Sequence, residues 1–289
     1  MTGTETSPAM VYDAITVTPL GGACGAEIDN VDISHDLDEQ VIAEIIMALD
    51  EHCVIRFRDQ DLSPLSQERF GARFGNLAVY PFVEASPDSQ HVIPIVKTPD
   101  QTRNFGGGWH SDGVYYDTPP IYTMLYALET PDEGSETLFA NQRLATADLT
   151  PSFLDTLSTL RVLYKAGNIA RRDRSDTDMT HHNDAEAAEH QVAHPLVRSH
   201  PNTGERLVYL SRFHTQRFAG MSRAESRPLL DQLHDAQTRG EYTAWIDWEP
   251  GQLTMWDNRL VLHNALNNYP GQTRRMQRTT VLGESPIPG

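Results

Sequence analysis

The chain has 289 residues, 39% hydrophobic and 22% charged, with a formal net charge of −17. That acidity argues against a nucleic-acid partner, which needs clustered Lys and Arg against a phosphate backbone, but it leaves room for a small anionic substrate beside a local arginine. No apolar run is long enough to span a bilayer, and Met1 to Met10 lack the charged-then-apolar pattern of a signal peptide. Cytoplasmic placement follows, with Cys24 and Cys53 as reduced structural thiols.

In chain order, residues 1–12 read as a flexible tail. Ala14 to Asn30 reads as short strands around the Gly21-Gly22 turn. Asp38 to His52 predicts a helix, because Ile42, Ile45, Ile46 and Leu49 recur at helical spacing. Cys53 to Phe57 predicts a buried strand. Ser63 as N-cap, Pro64 in the first turn and Gly75 near the end mark a second helix, with Phe70 and Phe74 on its buried face. Thr150-Pro151 repeats the start signal. Ser222 with Glu225 forms a capping box before Leu229, Leu230 and Leu233, and Gly240 is expected to close that helix. Between the helices lie strand-like runs: Val92 to Val96, Tyr122 to Ala127, Thr137 to Ala140, Val162 to Tyr164, Leu207 to Leu210, Ala244 to Trp248, Leu253 to Trp256 and Arg278 to Leu282. This pattern predicts a mainly β fold with flanking helices, a sandwich or barrel rather than a doubly wound parallel sheet. Residues 167–193 are polar and His-rich and read as a mobile loop or lid. The whole of 1–289 reads as one domain.

Two His-x-Asp pairs occur, His110/Asp112 and His182/Asp184. His182 lies in the polar stretch and reads as solvated. His110 follows Gly106-Gly107-Gly108-Trp109, and alternate residues of an extended segment share a face, so His110 and Asp112 can turn inward together. A structural hydrogen-bonded pair is the plain alternative. His263, in Val261-Leu262-His263 after the Trp256-Asp257-Asn258 turn, offers a third donor. Asp257 and Asn258 read as turn residues bonding their own backbone. Two imidazoles and one carboxylate, if they meet, form the donor set of non-haem Fe(II) oxygenases. Arg274 and Arg278 would share one face of a strand, and a guanidinium fork suits a carboxylate; exposed charge on an edge strand is the plain reading.

These motifs, with Gly21 to Ile28, Arg58-Asp59-Gln60, Arg73-Phe74-Gly75, His194-Pro195-Leu196-Val197, Trp256-Asp257-Asn258-Arg259 and the run Arg278 to Gly283, occur in the order found in a known family. The chain resembles the taurine/2,4-dichlorophenoxyacetate group of Fe(II)- and 2-oxoglutarate-dependent dioxygenases over nearly its whole length. The resemblance implies a double-stranded β-helix, or jelly-roll, core. It implies His110, Asp112 and His263 as iron ligands, Thr137 and Arg274 as 2-oxoglutarate contacts, and Arg278 facing the co-substrate or an anionic substrate group. Tyr115 resembles a pocket-lining aromatic, and Phe105 would add to that wall. Tyr80 stands where the taurine enzyme has a substrate-side histidine, but an aromatic in such a loop reads as packing. Phe105 to Gly108 replaces an Asn-rich stretch, which argues against taurine itself. Asp112 argues against halogenating relatives.

The implied activity is oxidation of a C–H bond in a small, anionic organic substrate by O₂, with succinate and CO₂ as co-products, in a homo-oligomeric enzyme. The rival readings are a Zn-dependent hydrolase or metal-dependent isomerase using the same ligands, and a non-catalytic jelly-roll binding module.

Overall fold

The computed structural model describes residues 11–166 and 185–289. The predicted tail and the polar stretch therefore fall largely outside the described residues, as does His182 with Asp184.

The chain opens with strands β1 (Thr16–Pro19) and β2 (Ala26–Asp29), then helix α1 (Glu39–His52), strand β3 (Val54–Phe57) and helix α2 (Pro64–Ala72). Strands β4 (Val92–Lys97), β5 (Pro120–Glu129) and β6 (Thr137–Asn141) lead into two short helices, α3 (Gln142–Ala147) and α4 (Pro151–Ser158). Strand β7 (Arg161–Lys165), helix α5 (Ala185–Glu189) and strands β8 (Gln191–Pro195), β9 (Val197–Ser199), β10 (Arg206–Val208) and β11 (Thr215–Phe218) follow. Helix α6 (Arg223–Gln237) and strands β12 (Thr243–Ile246), β13 (Leu253–Asp257), β14 (Val261–Ala265) and β15 (Arg274–Leu282) complete it.

Among the described residues the strands form a seven-stranded sheet in the order β1-β2-β3-β13-β5-β15-β4, two three-stranded sheets, β12-β6-β14 and β11-β7-β8, and the pair β10-β9. From β3 to β4 in the large sheet, and throughout β12-β6-β14, the neighbours are far apart in sequence, as a double-stranded β-helix requires. All pairings are antiparallel except β2 with β3.

Alternation along the strands sorts side chains between two cores. On β5, Tyr122, Met124 and Tyr126 pack with Ile42, Ile45 and Leu49 of α1 and Phe70 of α2. Leu125 and Ala127 point the other way, toward Phe139, Ile246 and Val261 of the small sheet. Thr123 shares that inner face. On β15, Met276 faces the same inner core, which turns its alternate neighbours Arg274 and Arg278 inward too, as strand periodicity predicts.

The α1 and α2 starts agree with expectation; the Ser63 hydroxyl accepts from the Ser66 N–H. The capping box of α6 is complete, with Ser222 and Glu225 each bonding the other's backbone. Gly240 does not close α6. The helix ends at Gln237, where the Thr238 hydroxyl donates to the His234 carbonyl, and Gly240 instead opens a short 3₁₀ turn. The expected loop over 167–193 is also too long. Residues from 185 carry α5 and then β8, whose backbone pairs along the whole of β7. Backbone ladder bonds are satisfied there without an apolar run, so composition concealed the strand.

Candidate active site

The inner face of the seven-stranded sheet and β14 of the small sheet converge on one buried cluster. His110 lies in the loop before β5, and it pairs with His263 of β14 as an isolated antiparallel bridge. The His110 N–H donates to the His263 carbonyl at 3.0 Å and the His263 N–H donates to the His110 carbonyl at 2.8 Å. The two ring centroids are 4.1 Å apart.

The glycines before His110 shape its approach. Gly108 has φ +98°, a conformation that glycine adopts without a steric penalty. Its N–H donates to Asn264 Oδ1 at 2.7 Å, and its carbonyl lies 2.8 Å from His110 Nδ1. A carbonyl only accepts, so Nδ1 carries a proton, and in the neutral ring Nε2 is the nitrogen that keeps its lone pair. Gly113, just after Asp112, has φ +57°; a Cβ there would sit 2.5 Å from Pro120 Cδ.

Asp112 completes the cluster. His110 Nε2 is 3.7 Å from Asp112 Oδ1, and His263 Nε2 is 3.8 Å from Asp112 Oδ2. One donor atom from each of the three residues lies within 4.8 Å of the others. All three residues are buried. Burial alone would raise the Asp112 pKa. The Arg278 guanidinium, 3.7 Å away, then the two imidazoles and a hydrogen bond from Thr123 outweigh it and hold the carboxyl well below the usual range. Burial, with the neighbouring His110, pushes His263 down to about 3. Two neutral imidazoles and an ionised carboxylate are the protonation states a divalent metal needs.

Deeper along β15, Arg274 is 4% exposed, and its Nε and Nη2 have no hydrogen-bond partner among the described residues. Its guanidinium carbon lies 5.4 Å from the Trp248 ring centre, and Trp248 Nε1 donates to the Thr137 hydroxyl at 3.1 Å. Thr137 and Arg274 are thus joined through a tryptophan that sequence spacing did not single out. A buried, unpaired cation is costly, and a carboxylate is the chemistry that would complete it. The side chains present therefore fit both a divalent metal at the triad and a dicarboxylate beside it.

Arg278 is flanked by two rings, Tyr80 at 4.7 Å and Phe105 at 5.5 Å. Tyr80, expected to serve packing alone, therefore also touches a site residue. Tyr115 is 2% exposed and packs on Phe82, Tyr116 and His214. Asp257 has its expected turn role, accepting from the Arg259 N–H at 2.7 Å, and also pairs with the Arg259 guanidinium. Asn258 does more than turn the chain: its side chain bonds Trp256, Thr123 and the Asp112 N–H.

A double-stranded β-helix holding a buried two-histidine, one-carboxylate triad defines the class of metal-dependent oxygenases. Comparison with known proteins narrows the class. The family model described as "Taurine catabolism dioxygenase TauD, TfdA family" matches residues 16–280, and the chain belongs to that family. It is 31% identical to the alpha-ketoglutarate-dependent sulfate ester dioxygenase of Pseudomonas putida, over 94% of this chain and 91% of that protein. It is 28% identical to the alpha-ketoglutarate-dependent 2,4-dichlorophenoxyacetate dioxygenase of Cupriavidus pinatubonensis, over 95% and 100%. The crystal structure of a putative alpha-ketoglutarate-dependent taurine dioxygenase from Burkholderia xenovorans superposes with TM-score 0.81 at 31% identity, covering 95% of this chain and 94% of that one. The protein is a non-haem iron dioxygenase that uses Fe(II) and 2-oxoglutarate. The rival hydrolase, isomerase and binding-module readings gain no support. No helix among the described residues is long and apolar enough to cross a membrane.

Proposed function

We propose that this enzyme oxidises a C–H bond of a small organic anion, with O₂ as oxidant and succinate and CO₂ as co-products. The observation that carries this reading is Arg274: a buried guanidinium whose Nε and Nη2 have no hydrogen-bond partner among the described residues, joined through Trp248 to Thr137, on the same inner face as the triad.

When bound, Fe(II) and 2-oxoglutarate supply the oxidising chemistry. The chain's own residues hold and orient. His110, Asp112 and His263 bind the metal, with His110 fixed in the tautomer that presents Nε2. Arg274 takes the distal carboxylate of 2-oxoglutarate, and Thr137 a second contact: its oxygen accepts from Trp248, so its own proton is available to donate. Arg278, inward on β15 and lying against Asp112, faces the co-substrate or the anionic group of the substrate. Phe105, Tyr115 and Tyr80 form an aromatic wall that keeps water out and accepts an apolar body. The relatives named for sulfate esters and for an aryloxyacetate support an anionic substrate for this chain.

With this reading come one catalytic unit across 1–289, a homo-oligomer, cytoplasmic placement, and no nucleic-acid or membrane partner. Light scattering after gel filtration tests the oligomer. The activity is tested by anaerobic titration with Fe(II) and 2-oxoglutarate, followed by succinate detection against a panel of sulfate esters, sulfonates and carboxylates. A weak visible charge-transfer band and substrate-dependent succinate are expected. Absence of both overturns the reading.

A further inference from the structure

We propose that Thr123 and Asn258 are positioning residues that set the orientation of the Asp112 carboxylate for the metal. This rests on the assignment of Asp112 as a metal ligand.

The hydrogen bonds around Asn258 run in one direction. Trp256 Nε1 at 3.1 Å and the Asp112 backbone N–H at 3.3 Å both reach Asn258 Oδ1. Both are donors only, so the amide oxygen must occupy that end and the amide nitrogen the other. Asn258 Nδ2 then donates to Thr123 Oγ1 at 2.9 Å. A hydroxyl has one proton, and with its oxygen receiving from Asn258 that proton goes to Asp112 Oδ2, 2.8 Å away. The amide, the hydroxyl and the carboxylate thus form a directed chain. Thr123, Asn258 and Asp112 are all buried, which shields these bonds from bulk solvent.

The fold supplies the geometry from two strands. Thr123 on β5 is the register partner of Trp256 on β13, two residues before Asn258. The Asn258 N–H donates to the Ile121 carbonyl, and the Asn258 carbonyl accepts from the Ser111 hydroxyl at 2.8 Å. Asn258 therefore ties the β13 end, β5 and the His110–Asp112 segment together. The consequence falls on the carboxylate plane. The Thr123 bond anchors Oδ2, which lies 3.8 Å from His263 Nε2, and so fixes the carboxylate plane with Oδ1 3.7 Å from both His110 Nε2 and the Arg278 guanidinium. Partners of this kind fix a ligand's orientation and basicity, and removing them typically lowers metal affinity by about 10–100-fold.

The test titrates Co(II) into the full-length, metal-free chain, following visible absorption and competition with a chelating dye. Thr123→Val is expected to weaken Co(II) binding by about 10-fold or more and alter the visible spectrum, while Thr123→Ser, which keeps the hydroxyl, stays within about threefold of the parent. Asn258→Ala shifts affinity in the same direction, and in the double variant the two losses combine to less than their sum, because they share the Thr123 hydroxyl. Metal-free melting curves check folding; if Thr123→Val does not fold, the Asn258→Ala titration decides. A purely structural role would lower the melting temperature and leave affinity and spectrum unchanged, and that result overturns the proposal. His110→Ala separates the two levels: if it binds Co(II) like the parent, the metal assignment itself fails.

Discussion

His110 and His263 are joined through their backbones before any metal is considered, each donating its N–H to the other's carbonyl. The bridge holds two imidazoles side by side, 4.1 Å between centroids, although one lies in a loop and the other in a strand of the small sheet. Their spacing is thus set by a sheet-like contact, so the metal site is formed in advance.

From this it follows that replacing either imidazole removes a ligand without removing the bridge. His110→Ala and His263→Ala are expected to fold and to lose 2-oxoglutarate turnover by more than the roughly 10–100-fold typical of a supporting partner. Circular dichroism with succinate quantitation checks both halves. Chelation should inactivate the parent enzyme reversibly, with Fe(II) restoring turnover.

Arg274 makes an unusual pair of expectations. Its guanidinium is buried, burial pulls its pKa down, and its Nε and Nη2 have no hydrogen-bond partner among the described residues. Arg274→Met should raise the 2-oxoglutarate concentration for half-saturation by about 10-fold or more, since a hydrogen bond to a charged group contributes about 1.5–3 kcal/mol. The same substitution should raise the melting temperature of the ligand-free protein, by about 2–4 °C for each kcal/mol of relieved desolvation. A variant that binds 2-oxoglutarate normally would contradict the assigned role.

Gly113 turns the chain immediately after Asp112 with φ +57°, against Pro120 and Tyr116. Gly113→Ala places a Cβ where there is no room, at a cost of about 1–3 kcal/mol. Because the displaced segment carries Asp112, metal affinity should fall together with thermal stability. Isothermal titration and melting on the same sample would read both.

Acid sensitivity should come partly from His234, far along α6. Burial, and next the Arg212 charge, push its pKa down to about 4 from 6.5. The unfolded chain therefore takes up a proton first as pH falls. The stability this neutral imidazole contributes is full above about pH 6.5 and is lost progressively toward pH 4. His234→Gln should flatten the stability–pH profile in that window, measured by urea unfolding; an unchanged slope would refute it.

Much of the site was legible because some signals are local. The capping box of α6 needs only Ser222 and Glu225 three residues apart, and the inward pairing of Arg274 with Arg278 needs only the two-residue period of a strand. Where local composition and tertiary contact disagreed, the contact won. The first residues of β8, Gln191 to Ala193, were read as loop because its partner, β7, lies on the far side of the polar stretch. Asn258 read as a turn residue because its other bonds, to Thr123 and the Asp112 N–H, cross to β5 and the His110–Asp112 segment. Tyr80 gave no sign of lying over Arg278.

The sequence by itself determined which side chains were on offer: two histidines, a carboxylate, inward arginines, and glycines where the backbone must bend. Periodicity and the ordered motifs were enough for the fold class and the family. Only the tertiary structure decided how those groups are used: the His110–His263 bridge, the fixed direction of the Asn258–Thr123–Asp112 bonds, and the burial of Arg274 beside Trp248. The physical reason is range. Helix caps and strand faces are set within a few residues, whereas ligand spacing, hydrogen-bond direction and the desolvation of a charge depend on the register of strands far apart in the chain.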